Sequence, residues 1–309
     1  MDKMKYSKDI NLVDPVMIAG WPGMGSVALG AVDYLQRKLK TVKFAEIDVD
    51  PLAIVDSVTV EDGLAAIAPT PKNVFYYTKN PDLIIFKGEA QLPGHEGILL
   101  LEEVLELASK FKVSRIYTGA AFPIPVSHKD LPQVYMAVNK RSLKDQLARF
   151  GLIPMESGYI SGLNGLLLGF AEKKNIEAVC LLATMPQYAI SLPNPKASLA
   201  VIDALQKILG FKLNIEEMNE YVRDMDEKMS IIEDKVKDVM EIDTKKPEPG
   251  HSASGKKVVP PYIMDKIEKL FIEAAGDKAK AILLKSELDR WDLYKLYEDR
   301  FLDIFKENQ

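Results

Sequence analysis

Two rhythms of apolar residues run along this chain. Up to about residue 210, short runs rich in Val, Ile and Leu alternate with stretches whose apolar positions recur every three or four residues. The short runs predict strands over 16–19, 43–49, 52–60, 73–78, 83–87, 115–119 and 178–183. The periodic stretches predict helices over 26–38, 95–111, 139–149, 162–174 and 195–209. Continuously apolar strands separated by helices belong to a largely parallel sheet covered on both faces. The interval 47–77 breaks that alternation. It is strand-like throughout, with turns at Glu61-Asp62-Gly63 and Pro69-Thr70-Pro71, so hairpins are expected there and the sheet is mixed.

Beyond Gly210 the pattern changes. Ile215, Met218, Val222, Met225, Met229, Ile232, Val236 and Val239 follow one another in alternating steps of three and four. That is a coiled-coil-like seam on one long helix. Glu216, Glu217, Arg223, Asp224, Asp226, Glu227 and Lys228 flank it. So narrow a stripe needs a partner, either the C-terminal helix of the same chain or another subunit. Its three methionines, Met218, Met225 and Met229, make it adaptable but weakly specifying, with Met225 and Met229 as candidate contacts.

Residues 244–261 are dominated by Pro, Gly, Ser and Lys and read as a flexible linker. Helix is expected again over 262–275 and 278–307, divided by Gly276-Asp277 as a C′ glycine and an N-cap. Trp291, Tyr294, Tyr297, Phe301 and Phe305 give the last helix a broad aromatic face suited to docking. The expected organisation is a core domain over 1–210, a coiled-coil-like helix over 211–243, the linker, and C-terminal helices over 262–309.

Composition narrows the function classes. The chain has 309 residues, 47% hydrophobic and 28% charged, with a net charge of −5. That balance offers no electrostatic case for nucleic acid or an anionic membrane. Apolar runs stay far below the ~18 residues of a membrane span, and the polar start Met1-Asp2-Lys3-Met4-Lys5 lacks the apolar region of a secretion signal. The cytoplasm is the expected location. The one cysteine, Cys180, lies in an apolar run and is expected to be a buried, inert thiol.

Candidate chemistry centres on Gly20-Trp21-Pro22-Gly23-Met24-Gly25, a turn between the first predicted strand and the first predicted helix. Open α/β sheets place their sites at such carboxyl strand ends. The glycine order is G-x-x-G-x-G, unlike the dinucleotide fingerprint, and Gly25-Ser26 lacks the lysine of a phosphate-binding loop. Three readings remain open for the turn. It is a tight structural turn with Ser26 as N-cap, a small-anion or nucleotide site using the N–H groups of Gly25, Ser26 and Val27, or a subunit contact through Trp21 and Met24.

A ligand in this crevice would be held by Gly23, Gly25, Ser26, Glu89 and Lys196, with Gln91 and His95 nearby. Glu89 and His95 are the candidate acid–base groups. The three histidines, His95, His128 and His251, share no metal-ligand spacing, so no metal or cofactor is expected. Gly158-Tyr159-Ile160-Ser161-Gly162 carries its serine one place late for a nucleophile elbow, and Ser161-Gly162 is expected to open a helix. Asn194 and Pro195 read as the N-cap and first residue of another.

Four segments carry a family resemblance: the 20–25 turn, Tyr117-Thr118-Gly119-Ala120, Ile160-Ser161-Gly162-Leu163-Asn164-Gly165 and Asn194-Pro195-Lys196-Ala197. In this order, over about residues 10–210, they resemble the proteasome assembly chaperone 2 family. The resemblance implies a three-layer αβα sandwich like that of purine nucleoside phosphorylase. It implies closed homo-oligomers, from trimer to pentamer, and a role in helping proteasome α-subunits assemble or in engaging the core particle. Some relatives are described as ATP-grasp ligases, yet no nucleotide-gripping lysine pair or metal carboxylate cluster stands here. Chaperones that dock on the core particle often end in hydrophobic-Tyr-any residue. This chain ends Phe305-Lys306-Glu307-Asn308-Gln309, so insertion of such a tail is not expected.

The expectation is therefore a non-enzymatic, homo-oligomeric assembly protein. Trp21, Met24, Met225, Met229, Trp291 and Tyr297 are its candidate contact residues. The alternatives are an enzyme or sensor holding a phosphate-bearing ligand at the strand-end crevice, and an oligomeric scaffold unrelated to proteasomes.

Overall fold

The computed structural model describes residues 4–48, 58–67, 70–244, 267, 270, 271, 274, 278–291 and 293–303. The chain divides into two compact units, Met1–Asp243 and Thr244–Gln309. The first unit begins with β1 (Met4–Tyr6), β2 (Val16–Gly20), α1 (Val27–Lys38), β3 (Val42–Ile47), β4 (Val58–Glu61) and β5 (Leu64–Ile67). It continues with β6 (Asn73–Thr78), β7 (Leu83–Gly88), α2 (Gly94–Lys110), β8 (Arg115–Ile124), β9 (Val134–Val138) and α3 (Arg141–Ala148). The remaining elements are β10 (Ile153–Pro154), α4 (Leu163–Lys173), β11 (Glu177–Pro186), α5 (Pro195–Leu209) and α6 (Glu216–Thr244).

Nine strands form one sheet in the order β1-β3-β6-β7-β2-β8-β11-β9-β10. The centre, β7-β2-β8-β11, is parallel. Toward one edge β6, β3 and β1 alternate in direction, and on the other side β9 runs against β11. The sheet is thus mixed, with a parallel heart, as the sequence pattern predicts.

Side chains of the central strands divide by parity between two layers, as the twofold repeat of a strand requires. Met17, Ala19, Ile84, Phe86, Ile116, Ala178, Cys180 and Leu182 pack against α2 and α4. Ile18, Leu83, Ile85, Tyr117, Val179, Leu181 and Ala183 pack against α1, α3 and α5. Both faces are covered, which makes three layers, helix–sheet–helix.

Several elements depart from the sequence expectation. β8 and β11 each run ten residues and extend past the predicted runs, to Ile124 and Pro186. Their parallel register holds from Glu177↔Arg115 to Pro186↔Ile124. Strands β1, β9 and β10 have no counterpart in the sequence reading. They are short, and pairing to a neighbour, not their own pattern, makes them strands. The strand expected over 52–60 is described only as β4, paired with β5 in a separate two-stranded hairpin. The rest of it, 52–57, lies outside the described residues.

The long helix α6 belongs to the first compact unit, where the sequence sets 211–243 apart. Its seam faces inward. Met218 and Met229 are buried, and Ile215, Val222, Met225, Ile232 and Val236 are half-buried. Met218 joins the α1/α5 layer. The first part of the stripe thus lies against the chain's own sheet domain, through Met218 in that layer and Val222, Met225 and Met229 beside the strand ends.

In the second unit, α7 (Lys278–Arg290) and α8 (Tyr294–Asp303) replace the single helix expected over 278–307. The chain turns at Trp291, and Leu293 N–H donates to the Leu288 carbonyl at 2.8 Å. Ile267, Leu270, Phe271, Leu284, Leu288 and Phe301 form this unit's core, with Trp291 and Tyr297 half-buried against it. The Phe271 and Tyr297 ring centroids are 5.5 Å apart. Most of the expected linker and the Gly276-Asp277 junction lie outside the described residues.

Candidate functional site

The four signature segments converge at the carboxyl end of the parallel strands. Asn164, buried at the start of α4, binds both backbone groups of Trp21. Its Oδ1 accepts from Trp21 N–H at 3.0 Å, and its Nδ2 donates to the Trp21 carbonyl at 3.1 Å. Thr118 on β8 donates to the Asn164 carbonyl at 2.8 Å. Gln91, after β7, donates to the Pro22 carbonyl and accepts from Leu163 N–H at 3.0 Å. Asn194 N–H donates to the Gly25 carbonyl at 2.7 Å. Each segment satisfies backbone groups that another leaves open, as buried polar groups require.

This geometry answers the anion reading of the turn. Gly25 N–H donates to the Ile190 carbonyl, Ser26 N–H to that of Gly23, and Val27 N–H to that of Met24. All three donors that an anion would need are thus directed at the chain's own carbonyls. Gly25 sits at φ +62° between Met185 and Asn194, and an added Cβ would stand 2.7 Å from the Met185 sulfur. Ser26 occupies the N-cap position of α1 in a left-handed conformation, and its side chain makes no capping bond. Gly23 faces the Asn164 amide. The turn is a packed structural knot whose N–H groups at Gly25, Ser26 and Val27 are already bonded within the chain, while Gly25 and Ser26 also line a cavity of about 370 Å³ with Pro193, Asn194 and Pro195.

The other crevice residues are engaged as well. Glu89 accepts from Lys72 N–H at 3.0 Å and returns its own N–H to the Lys72 carbonyl at 2.9 Å, bracing β6 to β7. Lys196 donates to the His128 carbonyl at 2.5 Å and pairs with Asp226 of α6 at 2.7 Å. His95 lies exposed in the first turn of α2. Asn194 caps α5, accepting from Ala197 N–H at 2.8 Å, with Pro195 at the first helical position, as expected.

Trp21 is fully buried, so its assignment to a contact surface is corrected. Its ring packs on Phe86 with centroids 4.9 Å apart and lies over Gly88, where a Cβ would come within 2.3 Å of it. The indole Nε1 and Asn73 Oδ1, both beside Gly88, have no hydrogen-bond partner among the described residues. Met24 remains at the surface, 45% exposed, beside the exposed Ile190.

The crevice lies beside this knot, under α6. It is a cavity of about 260 Å³ lined by His128, Thr184, Lys196, Met225, Asp226 and Met229, among others. Met225 and Met229 thus line this cavity beside the chain's own strand ends, Met229 buried and Met225 half-buried. Helix α6 is tied down at three places. Near its start Glu217 pairs with Arg37 and Lys38, each at 2.6 Å. These bonds, with the charges of both cations, hold the exposed Glu217 carboxyl below its ordinary value. At the middle stands Asp226–Lys196.

The third tie is buried. Glu233 accepts from Ser127 Oγ at 2.8 Å and from the Tyr188 hydroxyl at 2.7 Å, and meets His128 Nδ1 at 2.5 Å. His128 N–H also donates to it at 3.1 Å. Burial, reinforced by the bond to Glu233, pushes the Tyr188 hydroxyl well above its usual pKa. The sequence reading missed this cluster. Its signal is a carboxylate four residues after Met229, inside an apolar stripe.

Cys180 is buried on β11, and burial pushes its thiol up to about 12. No group of three or more His, Cys, Asp and Glu residues suited to a metal ion occurs among the described residues. No helix among them is long and apolar enough to cross a membrane.

Comparison with known proteins places this architecture. The chain is similar to the structure of PbaB from Pyrococcus furiosus, described as an archaeal proteasome activator. Identity is 26% and the TM-score 0.64, over 74% of this chain and 98% of that one. PbaA from the same organism, an archaeal homologue of proteasome-assembly chaperone, shares the fold at 20% identity and a TM-score of 0.61, over 79% and 97%. An uncharacterized protein of Methanocaldococcus jannaschii, MJ1210, is 28% identical over 228 residues, which is 71% of this chain and 84% of its own length. The family model described as the PAC2 family matches residues 17–233, from the first core strand to the buried Glu233 of α6. The chain is a member of the PAC2 family.

Proposed function

We propose that this protein is a non-enzymatic proteasome-assembly-chaperone-like protein that self-associates and binds proteasome α-subunits. The observation that carries this reading is that the polar groups a ligand would use in the strand-end crevice are engaged within the chain. Enzymes of related architecture keep that crevice for a ligand. Here the turn's N–H groups point at the chain's own carbonyls, Lys196 is paired with Asp226, and α6 lies over the opening. What the molecule offers to others is surface. Met24 and Ile190 at the strand-end rim, with Tyr159 and Leu166 on the loop and helix after β10, are exposed and apolar. Kinship with PbaB and PbaA supplies the choice of partner.

The test is to mix the full-length protein with separately purified α-subunits and follow complex formation by native mass and the rate of ring assembly. A complex, or altered assembly, is expected. Absence of both at micromolar protein overturns the assignment. A parallel thermal-stability panel of phosphate, nucleosides and nucleotides is expected to show no saturable shift, because a ligand selective for the folded state would raise the melting temperature.

A further inference from the structure

The β4–β5 hairpin stands out from the rest of the first unit. Its strands join through Asp62-Gly63, both at positive φ, and pair Val58↔Ile67, Thr59↔Ala66, Val60↔Ala65 and Glu61↔Leu64. Every residue in it is exposed. Val58, Val60, Leu64 and Ile67 are between 56% and 77% exposed. An isolated two-stranded hairpin is at best marginally stable in water, and bare apolar edges invite pairing with another chain. Its only charges are Glu61 and Asp62 at the tip, and neither forms an ion pair among the described residues.

A matching surface exists elsewhere on the same unit. The segment 6–12 and the end of α2 enclose an open groove of about 690 Å³. Tyr6, Ile10, Leu12 and Phe111 give it apolar walls, and Lys8, Lys110 and Lys112 surround them, with Asp9 as its one acid. None of the three lysines pairs with a carboxylate among the described residues. Lys110 instead lies over the Tyr6 ring, 3.6 Å from its centroid.

Strand direction places the two surfaces apart. β3 runs parallel to β7 and β2, so the chain leaves Ile47 toward the hairpin at the carboxyl end of the parallel strands. The groove lies at the other end, where Ser7 N–H meets the Phe44 carbonyl and the turn after α2 reaches Pro15. An acidic apolar hairpin at one end and a basic apolar groove at the other complement each other between copies.

We propose that the β4–β5 hairpin of one copy docks head to tail in the 6–12/110–112 groove of the next. This rests on the self-association part of the proposed function and supplies its contact. Such heterologous contacts close into a ring when the rotation between copies permits. The paired charges make the association weaken as salt rises.

The experiment uses full-length protein, native mass and sedimentation. Val60→Ser with Leu64→Ser disarms the hairpin, and Lys8→Glu with Lys112→Glu disarms the groove. All four residues are exposed, and unchanged circular dichroism verifies the fold. Each double variant is expected to lose self-association by about tenfold or more. Mixing the two is expected to give a dimer containing one of each, because one intact hairpin then meets one intact groove. Adding Glu61→Lys and Asp62→Lys to the groove variant is expected to restore association. Variants that keep the wild-type mass overturn the hairpin contact while leaving self-association standing. A groove variant that still associates while the mixture gains nothing shows hairpin-to-hairpin pairing and also overturns it. A monomeric wild type overturns the contact and self-association together, whereas α-subunit binding is read separately.

Discussion

Asn164 holds Trp21 by both backbone groups, at 3.0 and 3.1 Å, across 143 residues of chain. One amide side chain thereby fixes the first strand–helix turn to the start of α4. Trp21 is fully buried beneath this clamp, so the turn's shape and the packing of its largest side chain depend on the same residue. Replacing Asn164 with Ala strands a buried donor and a buried acceptor. The expected cost is about 2–4 kcal/mol. It should appear as a lower denaturant midpoint with an unchanged slope. A loss below half a kcal/mol would mean that water or a relaxed turn takes over the amide's role.

Glu233 should govern how firmly α6 lies on the crevice. Glu233→Ala leaves the donors of Ser127, His128 and Tyr188 facing the space it filled. The expected result is faster amide exchange through the middle of α6, near Met225 and Met229, with Ile18 and Val179 in the central strands unchanged. Local opening of this kind is what exchange measures. Uniform loss of protection across the sheet would show instead that α6 and the sheet unfold as one.

Two glycines separate backbone strain from packing. Gly25 and Gly151 both have positive φ, but a Cβ at Gly151 meets nothing within 4 Å whereas one at Gly25 meets Met185 and Asn194. Gly151→Ala should cost about 1 kcal/mol from the backbone alone. Gly25→Ala should cost about 2–3 kcal/mol or more, since overpacking adds to the strain. Equal losses in parallel thermal unfolding would refute the tight contact at Gly25.

Cys180 provides a pH test. Its thiol is raised from 9.0 to about 12 in the folded chain, so between those values the unfolded chain releases a proton that the folded one keeps. Stability from this residue is full below pH 9 and is lost as pH rises toward 12. Cys180→Ala should flatten that part of the stability–pH curve. At pH 8 the native thiol should resist alkylation, with labelling that follows unfolding. Rapid labelling of the folded protein would contradict its burial.

Much of the fold is legible in the chain. The parallel heart of the sheet and helices α1 to α5 follow from local rhythm, because strands covered on both faces are apolar throughout and their helices are amphipathic. Asn194-Pro195 announces a helix start through its own capping chemistry. Where rhythm is absent, legibility ends. β9 becomes a strand because Val179 to Ala183 offer it an antiparallel partner, and β10 because β9 does. No local pattern in two to five residues encodes that.

The site divides along the same line. The sequence determined that the 20–25 turn ends a strand and opens a helix, that a narrow apolar stripe follows residue 210, and that the four signature segments mark one family. Tertiary structure alone decided what those features do. It directed the N–H groups of Gly25, Ser26 and Val27 to carbonyls, one of them at Ile190, far along the chain. It buried Trp21 under Asn164 and set Met218, at the start of the α6 stripe, into the sheet domain's own core. The physical reason is the range of the interactions. Periodicity and capping act over three or four residues, whereas hydrogen-bond satisfaction and burial are settled between segments that only the fold brings together.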